Sequence, residues 1–112
     1  SGAAACKQFF KKPNIPTAIF CSNDEMAYGA INQLRRMKIS VPNKVSVIGF
    51  DDLPMSKSFY PPLSTIYQPR FQIGEKSMEL LFEKMKIKKH KIDNIKLKTK
   101  LIIRESTLKI KK

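Results

Sequence analysis

Three short polar clusters carry the side chains in this sequence best suited to recognising a small molecule: Ser22-Asn23-Asp24, Asp51-Asp52 and Tyr67-Gln68-Pro69-Arg70. Together they offer carboxylates, amides and a guanidinium. Such a set suits a neutral polyol or sugar, because each hydroxyl can donate to an Asp and accept from an Asn or Arg. Taken singly, the members are ambiguous: Asn23 also reads as a helix cap, and Asp52 as an acid of a loop turn. Catalytic patterns are missing. No GxSxG, P-loop, CxxC or HExxH sequence occurs, and two adjacent acids do not make a metal coordination set. His90 sits in a lysine run without a partner and reads as solvated surface. Cys21 closes an apolar run and reads as inert packing rather than as a nucleophile. The residues point to binding, with no enzyme activity, metal or cofactor expected.

The elements that must position these clusters show in the hydropathy pattern. Ser1 to Lys12 has one apolar side and ends at Pro13, as a helix would. Thr17 to Cys21 is a short apolar run bounded by Pro16 and Ser22, a buried-strand signal. Ser22 and Asn23 then offer caps, Asp24 and Glu25 favour the positive end of a helix, and Ala27, Ala30, Ile31, Leu34 and Met37 extend it to about Lys38. Val45 to Phe50 (VSVIGF) reads as a strand covered on both faces. Strand, helix and strand in so short a span make a βαβ unit. Asp51 to Pro62 contains three prolines and reads as a loop. Leu63 to Gln68 is a further strand, and about Gln72 to Lys86 a second amphipathic helix. Leu97, Thr99, Leu101 and Ile103 alternate as a strand with one dry face would. The expected class is α/β, a three-layer open parallel sheet. All three polar clusters then fall where such sheets bind ligands, beyond the carboxyl ends of strands.

Length and charge narrow the function classes. The chain has 112 residues, enough for one domain, and 42% apolar against 28% charged residues argues against disorder. Two cysteines make no disulfide framework and fit a reducing, cytoplasmic setting. No apolar run is long enough for a membrane span. The net charge of +13 is uneven: residues 1–85 hold 11 basic and 7 acidic side chains, residues 86–112 hold 11 basic and 2 acidic. Only four of the 22 cations are Arg, and no aromatics interleave the lysine-rich tail. Base readers favour Arg forks and stacking rings, so the tail reads as a solvated surface. Ala27 to Val41 superficially resembles half of a helix-turn-helix, but VSVIGF stands where a recognition helix is needed.

The order PTAIFCSNDEMAYGAINQLRRMKISVPNKVSVIGFDD, PPLSTIYQP, IGEKSMELL and IIREST resembles the lactose/galactose repressor family of bacterial transcription regulators. Each piece is weak alone, but their order and spacing are specific, and the match covers about Ser1 to Leu108. The resemblance implies a periplasmic-binding-protein-like type I fold. Residues 1–112 would be a C-terminal fragment of the effector-binding domain, most of it in the C-terminal lobe, with the helix-turn-helix head outside it. Helix Gln72–Lys86 would pack on the other lobe. By the family pattern, Asn23, Asp51, Gln68 and Arg70 would face a sugar or sugar-derivative effector. Met26, Ile31, Leu53 and Met55 would lie at a homodimer contact, and operator DNA would be bound through the head. Phe71-Gln72 stands where the subfamily that takes a phosphorylated carrier protein tends to have Tyr-Asp, which argues against that mode. The alternative within the same fold is a sugar solute-binding protein of an ABC-type transporter.

Overall fold

The computed structural model describes residues 1–11, 13–86 and 94–110. Lys12, His90 and the lysines at 88, 89 and 91 lie outside the described residues. The order of elements is α1 (Gly2–Phe9), β1 (Ala18–Phe20), α2 (Asp24–Arg36), β2 (Ser46–Asp51), a 3-10 turn (Pro54–Lys57), β3 (Ser64–Tyr67), α3 (Arg70–Lys86) and β4 (Lys100–Ile102). The chain divides into two compact units, Ser1–Tyr67 with Lys100–Lys112, and Gln68–Thr99.

In the first unit, four strands form one open sheet in the order β1-β2-β3-β4. The first three run parallel, as the βαβ reading requires. β4 departs from the expected all-parallel sheet. It returns antiparallel beside β3, with Thr65 opposite Ile102 and Tyr67 opposite Lys100. Alternation along a strand reports which side is apolar and carries no information on direction, so the pattern around Leu101 left this open.

Helix α2 starts where its sequence says it should. Asn23 Oδ1 accepts from the Met26 N–H at 2.8 Å, and Asp24 and Glu25 occupy the first turn. It ends in a Schellman motif: the Ile39 N–H bonds to the Leu34 carbonyl at 2.9 Å and the Lys38 N–H to that of Arg35 at 3.0 Å. Its inner side, Ala27, Tyr28, Ala30, Ile31 and Leu34, meets Val45, Val47 and Leu63 in the core. Helix α1 lies so close to α2 that a Cβ on Gly2 would stand 1.9 Å from the Met26 carbonyl oxygen. Only glycine fits there.

The sheet is dry on one face only. Ile19 pairs with Val47, and Gly49 with Thr65, on the side where the core sits. The opposite face carries Phe20, Ile48, Phe50, Ile66 and Leu101, with Phe20 62% and Leu101 53% exposed. VSVIGF is therefore covered on one face and half-buried on the other, and the apolar side of β4 is exposed rather than dry. Both departures share a cause: an apolar face is legible in sequence, whereas what covers it is not.

In the second unit, α3 begins at Arg70, two residues ahead of the periodic pattern, because the Pro69 carbonyl already accepts from the Ile73 N–H at 2.9 Å. Proline just ahead of a helix loses nothing by lacking its own N–H. No residue of α3 is buried, and Phe71 and Met85 are 87% and 73% exposed.

Candidate functional site

Phe20 of β1 lies beside Ile48 of β2, and the Cys21 N–H continues the ladder to the Ile48 carbonyl at 2.8 Å. Asn23 and Asp51 each follow that register pair by three residues. Asn23 therefore stands past the carboxyl end of β1 and Asp51 is the last residue of the adjacent parallel β2, so both lie on one rim of the sheet. Asn23 is half-buried. Its Oδ1 is engaged in capping α2, so the cap reading holds; the amide nitrogen is the part of this side chain that can serve a ligand as donor. Asp51 closes β2 opposite Tyr67 of β3 and is half-buried.

The backbone at this rim is unusual. Asp51 has φ 117° and Asp52 φ 53°, both in the region that side chains with a Cβ disfavour. Such residues persist where their surroundings over-determine them, and they concentrate at ligand sites. The surroundings do so here. The Asp52 carboxylate pairs with Arg104 at 2.7 Å, and the Asp52 N–H points to the Thr65 hydroxyl at 3.4 Å. Asp52 thus acts as a loop-turn acid, while Asp51 occupies the strand-end position.

One residue of the cluster was underrated by sequence reasoning. Asp24 reads as a first-turn helix acid, yet it is completely buried. Its carboxylate accepts from the Thr65 hydroxyl, the Ser56 hydroxyl and the Leu53 N–H at 2.5, 2.6 and 2.8 Å. Only its place directly after Asn23 hinted at a second role.

Gln68 and Arg70 belong to the second unit, where Gln68 follows β3 in the chain and Arg70 opens α3. Among the proposed interface residues, Met55 is 50% exposed and Leu53 half-buried. Met26 is half-buried and lines a hollow of about 220 Å³ with Cys6, Phe9 and Cys21. Ile31 must be withdrawn from that set. It is 1% exposed and packs in the chain's own core, because it shares the inner side of α2 with Ala27 and Leu34.

Burial pushes the Cys21 thiol up to about 11, helped by the neighbouring Cys6, whose own thiol burial also raises. Both cysteines are free and buried, which suits packing and not nucleophilic chemistry. Burial likewise raises the Tyr28 hydroxyl. Among the described residues, no three His, Cys, Asp or Glu side chains are grouped to hold a metal ion. No helix among them is long and apolar enough to cross a membrane.

The sequence profile of the periplasmic binding protein-like domain matches residues 2–107. The chain belongs to that family. Its lactose/galactose-repressor type, implied by the residue order, is borne out by the relatives. The HTH-type transcriptional repressor PurR of Vibrio parahaemolyticus is 40% identical over 85% of this chain and 28% of its own length. The lac repressor dimer bound to operator and the anti-inducer ONPF superposes with a TM-score of 0.86 at 31% identity, over 96% of this chain and 37% of that one. A LacI family transcriptional regulator from Enterococcus faecium with bound ribose gives a TM-score of 0.81 at 29% identity, covering 95% and 39%. The chain thus spans about a third of the length of the family members it matches.

Proposed function

We propose that this chain is the effector-binding portion of a sugar-responsive bacterial transcription regulator. A small molecule held beside the Asn23–Asp51 rim would control operator binding by a DNA-binding head that lies outside these residues. The observation that carries the reading is the pairing of Asn23 and Asp51 at adjacent parallel strand ends, with Asp51 held at φ 117°. A carboxylate there accepts hydroxyl protons, and the Asn23 amide supplies a donor. The effector class is a sugar or a sugar derivative, supported by the ribose bound in the Enterococcus faecium relative. On the resemblance alone, Gln68 and Arg70 are further effector contacts, and Met26, Leu53 and Met55 contribute to a homodimer. A regulator of this kind works in the cytoplasm, without catalysis and without a cofactor. The repressor names of the relatives favour it over a transporter's solute-binding protein.

Calorimetric titration of the intact regulator with ribose, sucrose, cellobiose and adenosine tests the reading. A charged acceptor to a ligand hydroxyl contributes about 1.5–3 kcal/mol. Asp51→Ala should therefore weaken binding roughly 10- to 100-fold and leave effector-free operator affinity unchanged. Asp52→Ala should do less, because its carboxylate is paired with Arg104 and acts only through the turn that this pair helps to hold. Wild-type affinity in Asp51→Ala would remove the rim from the effector site.

A further inference from the structure

Asp24 holds a buried carboxylate that accepts three hydrogen bonds, two from the turn after β2 and one from β3. Its Oδ1 accepts from the Thr65 hydroxyl of β3 at 2.5 Å. Its Oδ2 accepts from the Leu53 N–H at 2.8 Å and from the Ser56 hydroxyl at 2.6 Å. Since Ser56 gives its proton to Asp24, the 2.6 Å contact between Ser56 and Tyr28 must have Tyr28 as donor. The side chain is admitted only because residue 49 is glycine: a Cβ there would stand 2.3 Å from Asp24 Oδ1. The first turn of α2, where backbone N–H groups converge, suits negative charge further.

Two of these three bonds grip the strained turn. Leu53 follows Asp51 and Asp52 directly, so its N–H bond fixes the far end of the positive-φ pair. Thr65, having donated to Asp24, is left as acceptor for the Asp52 N–H. The third bond, through Ser56 to Tyr28, anchors the 3-10 turn and does not touch the strained pair. Asn23, the neighbour of Asp24, caps the same helix on the same rim.

We infer that Asp24 is a positioning residue of the effector site: it touches no effector, but holds Asp51 at the rim by sustaining the strained Asp51–Asp52 turn through Leu53 and Thr65. This rests on the effector-site reading above and deepens it. The site's affinity then depends on a carboxylate buried beneath it, and on one hydroxyl, that of Thr65, far from it in sequence.

A matched pair of variants separates positioning from stability. Thr65→Val and Tyr28→Phe each delete one buried hydroxyl of the network with little change of shape, and only Thr65 bears on the turn. In the intact regulator, titrated with the member of the ribose, sucrose, cellobiose and adenosine set that wild type binds, Thr65→Val and Asp24→Asn should lose about 10-fold in affinity. Tyr28→Phe should bind as wild type although its melting temperature falls, and Thr65→Ser, which restores the hydroxyl, should recover the affinity. Equal affinity losses in Thr65→Val and Tyr28→Phe, or none in Asp24→Asn while Asp51→Ala does lose affinity, would overturn the inference. If Asp51→Ala is silent, or if wild type binds none of the four compounds, the effector reading fails instead. The crystal structure of Asp24→Asn then decides the positioning claim: a turn relaxed out of positive φ supports it, and an unchanged turn refutes it.

Discussion

Arg104 and Asp52 form an ion pair at 2.7 Å in which both side chains are only 13% exposed. The other guanidinium nitrogen donates to the Leu63 carbonyl, and the Arg104 backbone N–H donates to the Ser64 hydroxyl, both at 2.8 Å. Arg104, two residues past the end of β4, therefore pins the turn beyond β2 to the start of β3. Removing one partner strands the other charge away from water. Arg104→Ala should destabilise the protein by about 3 kcal/mol. Arg104→Lys should recover only part, since an ammonium cannot reach both acceptors as a planar fork does. Urea titration measures both, and a loss under about 0.5 kcal/mol in Arg104→Ala would place the pair among screened surface bridges.

Ser106 makes a comparable tie without charge. It is fully buried, donates its hydroxyl to the Val47 carbonyl at 2.6 Å and accepts from the Ser64 N–H at 2.8 Å. Its own carbonyl accepts from the Val47 N–H at 2.8 Å. Ser106→Ala leaves a buried donor and a buried acceptor short of a partner, for an expected loss of about 2–4 kcal/mol. Hydrogen exchange at the Ser64 amide should accelerate with it. Unchanged exchange would mean that another acceptor has taken over.

The βαβ frame was legible because its signals are local: Pro16 before β1, Asn23 and two acids at the head of α2, and the apolar run of β2. The strand-end positions of Asn23 and Asp51 follow from that frame alone. What could not be read depends on distant partners. Asp24 is drawn into the core by Thr65 and Ser56, and by the space at Gly49, none of which neighbours it in sequence. Ile31 is apolar whether it faces a core or a subunit, so helical spacing could not choose between them. The closing Arg104-Glu105-Ser106-Thr107 carried weight in the sequence only as part of a resemblance; its physical reason is the lacing of Arg104 and Ser106 to β2 and β3.

The buried thiols set an alkaline limit. Cys21 titrates near 11 in the folded protein, against an ordinary 9.0, because burial disfavours the thiolate. The folded state thus holds its proton where the unfolded state releases it, so stability is full below about pH 9 and falls as pH rises toward 11. Cys6 and Tyr28 are raised as well and act in the same direction. Denaturation midpoints should stay level through neutral pH and fall across this alkaline window. Cys21→Ser should flatten that decline while lowering stability at neutral pH, because it puts a hydroxyl in a dry site. An equally steep decline in Cys21→Ser would assign the alkaline loss to other groups.

Lys38 offers the opposite test, a substitution that should strengthen the fold. It sits at φ 58° just past the end of α2, the left-handed position that glycine fills in most Schellman motifs. The motif around it is complete: its own N–H and that of Ile39 satisfy the carbonyls of Arg35 and Leu34, and Ile39 packs back on the core. A side chain in left-handed backbone costs about 1–2 kcal/mol. Glycine removes that cost but gives the unfolded chain more freedom, an opposing effect of about 0.4–1 kcal/mol. The lysine cation near the negative helix end also contributes about 0.3–1 kcal/mol that glycine forfeits. The midpoints of these ranges leave glycine ahead by only about 0.2 kcal/mol, and asparagine, which tolerates this backbone, should fall between the two. Lys38→Gly should therefore raise the urea midpoint slightly with no change in the dependence on denaturant. In high salt, where the helix-end attraction is screened, the gain should grow toward about 1 kcal/mol. A midpoint that falls in both conditions would mean that the lysine stem covers apolar surface worth more than the strained backbone costs.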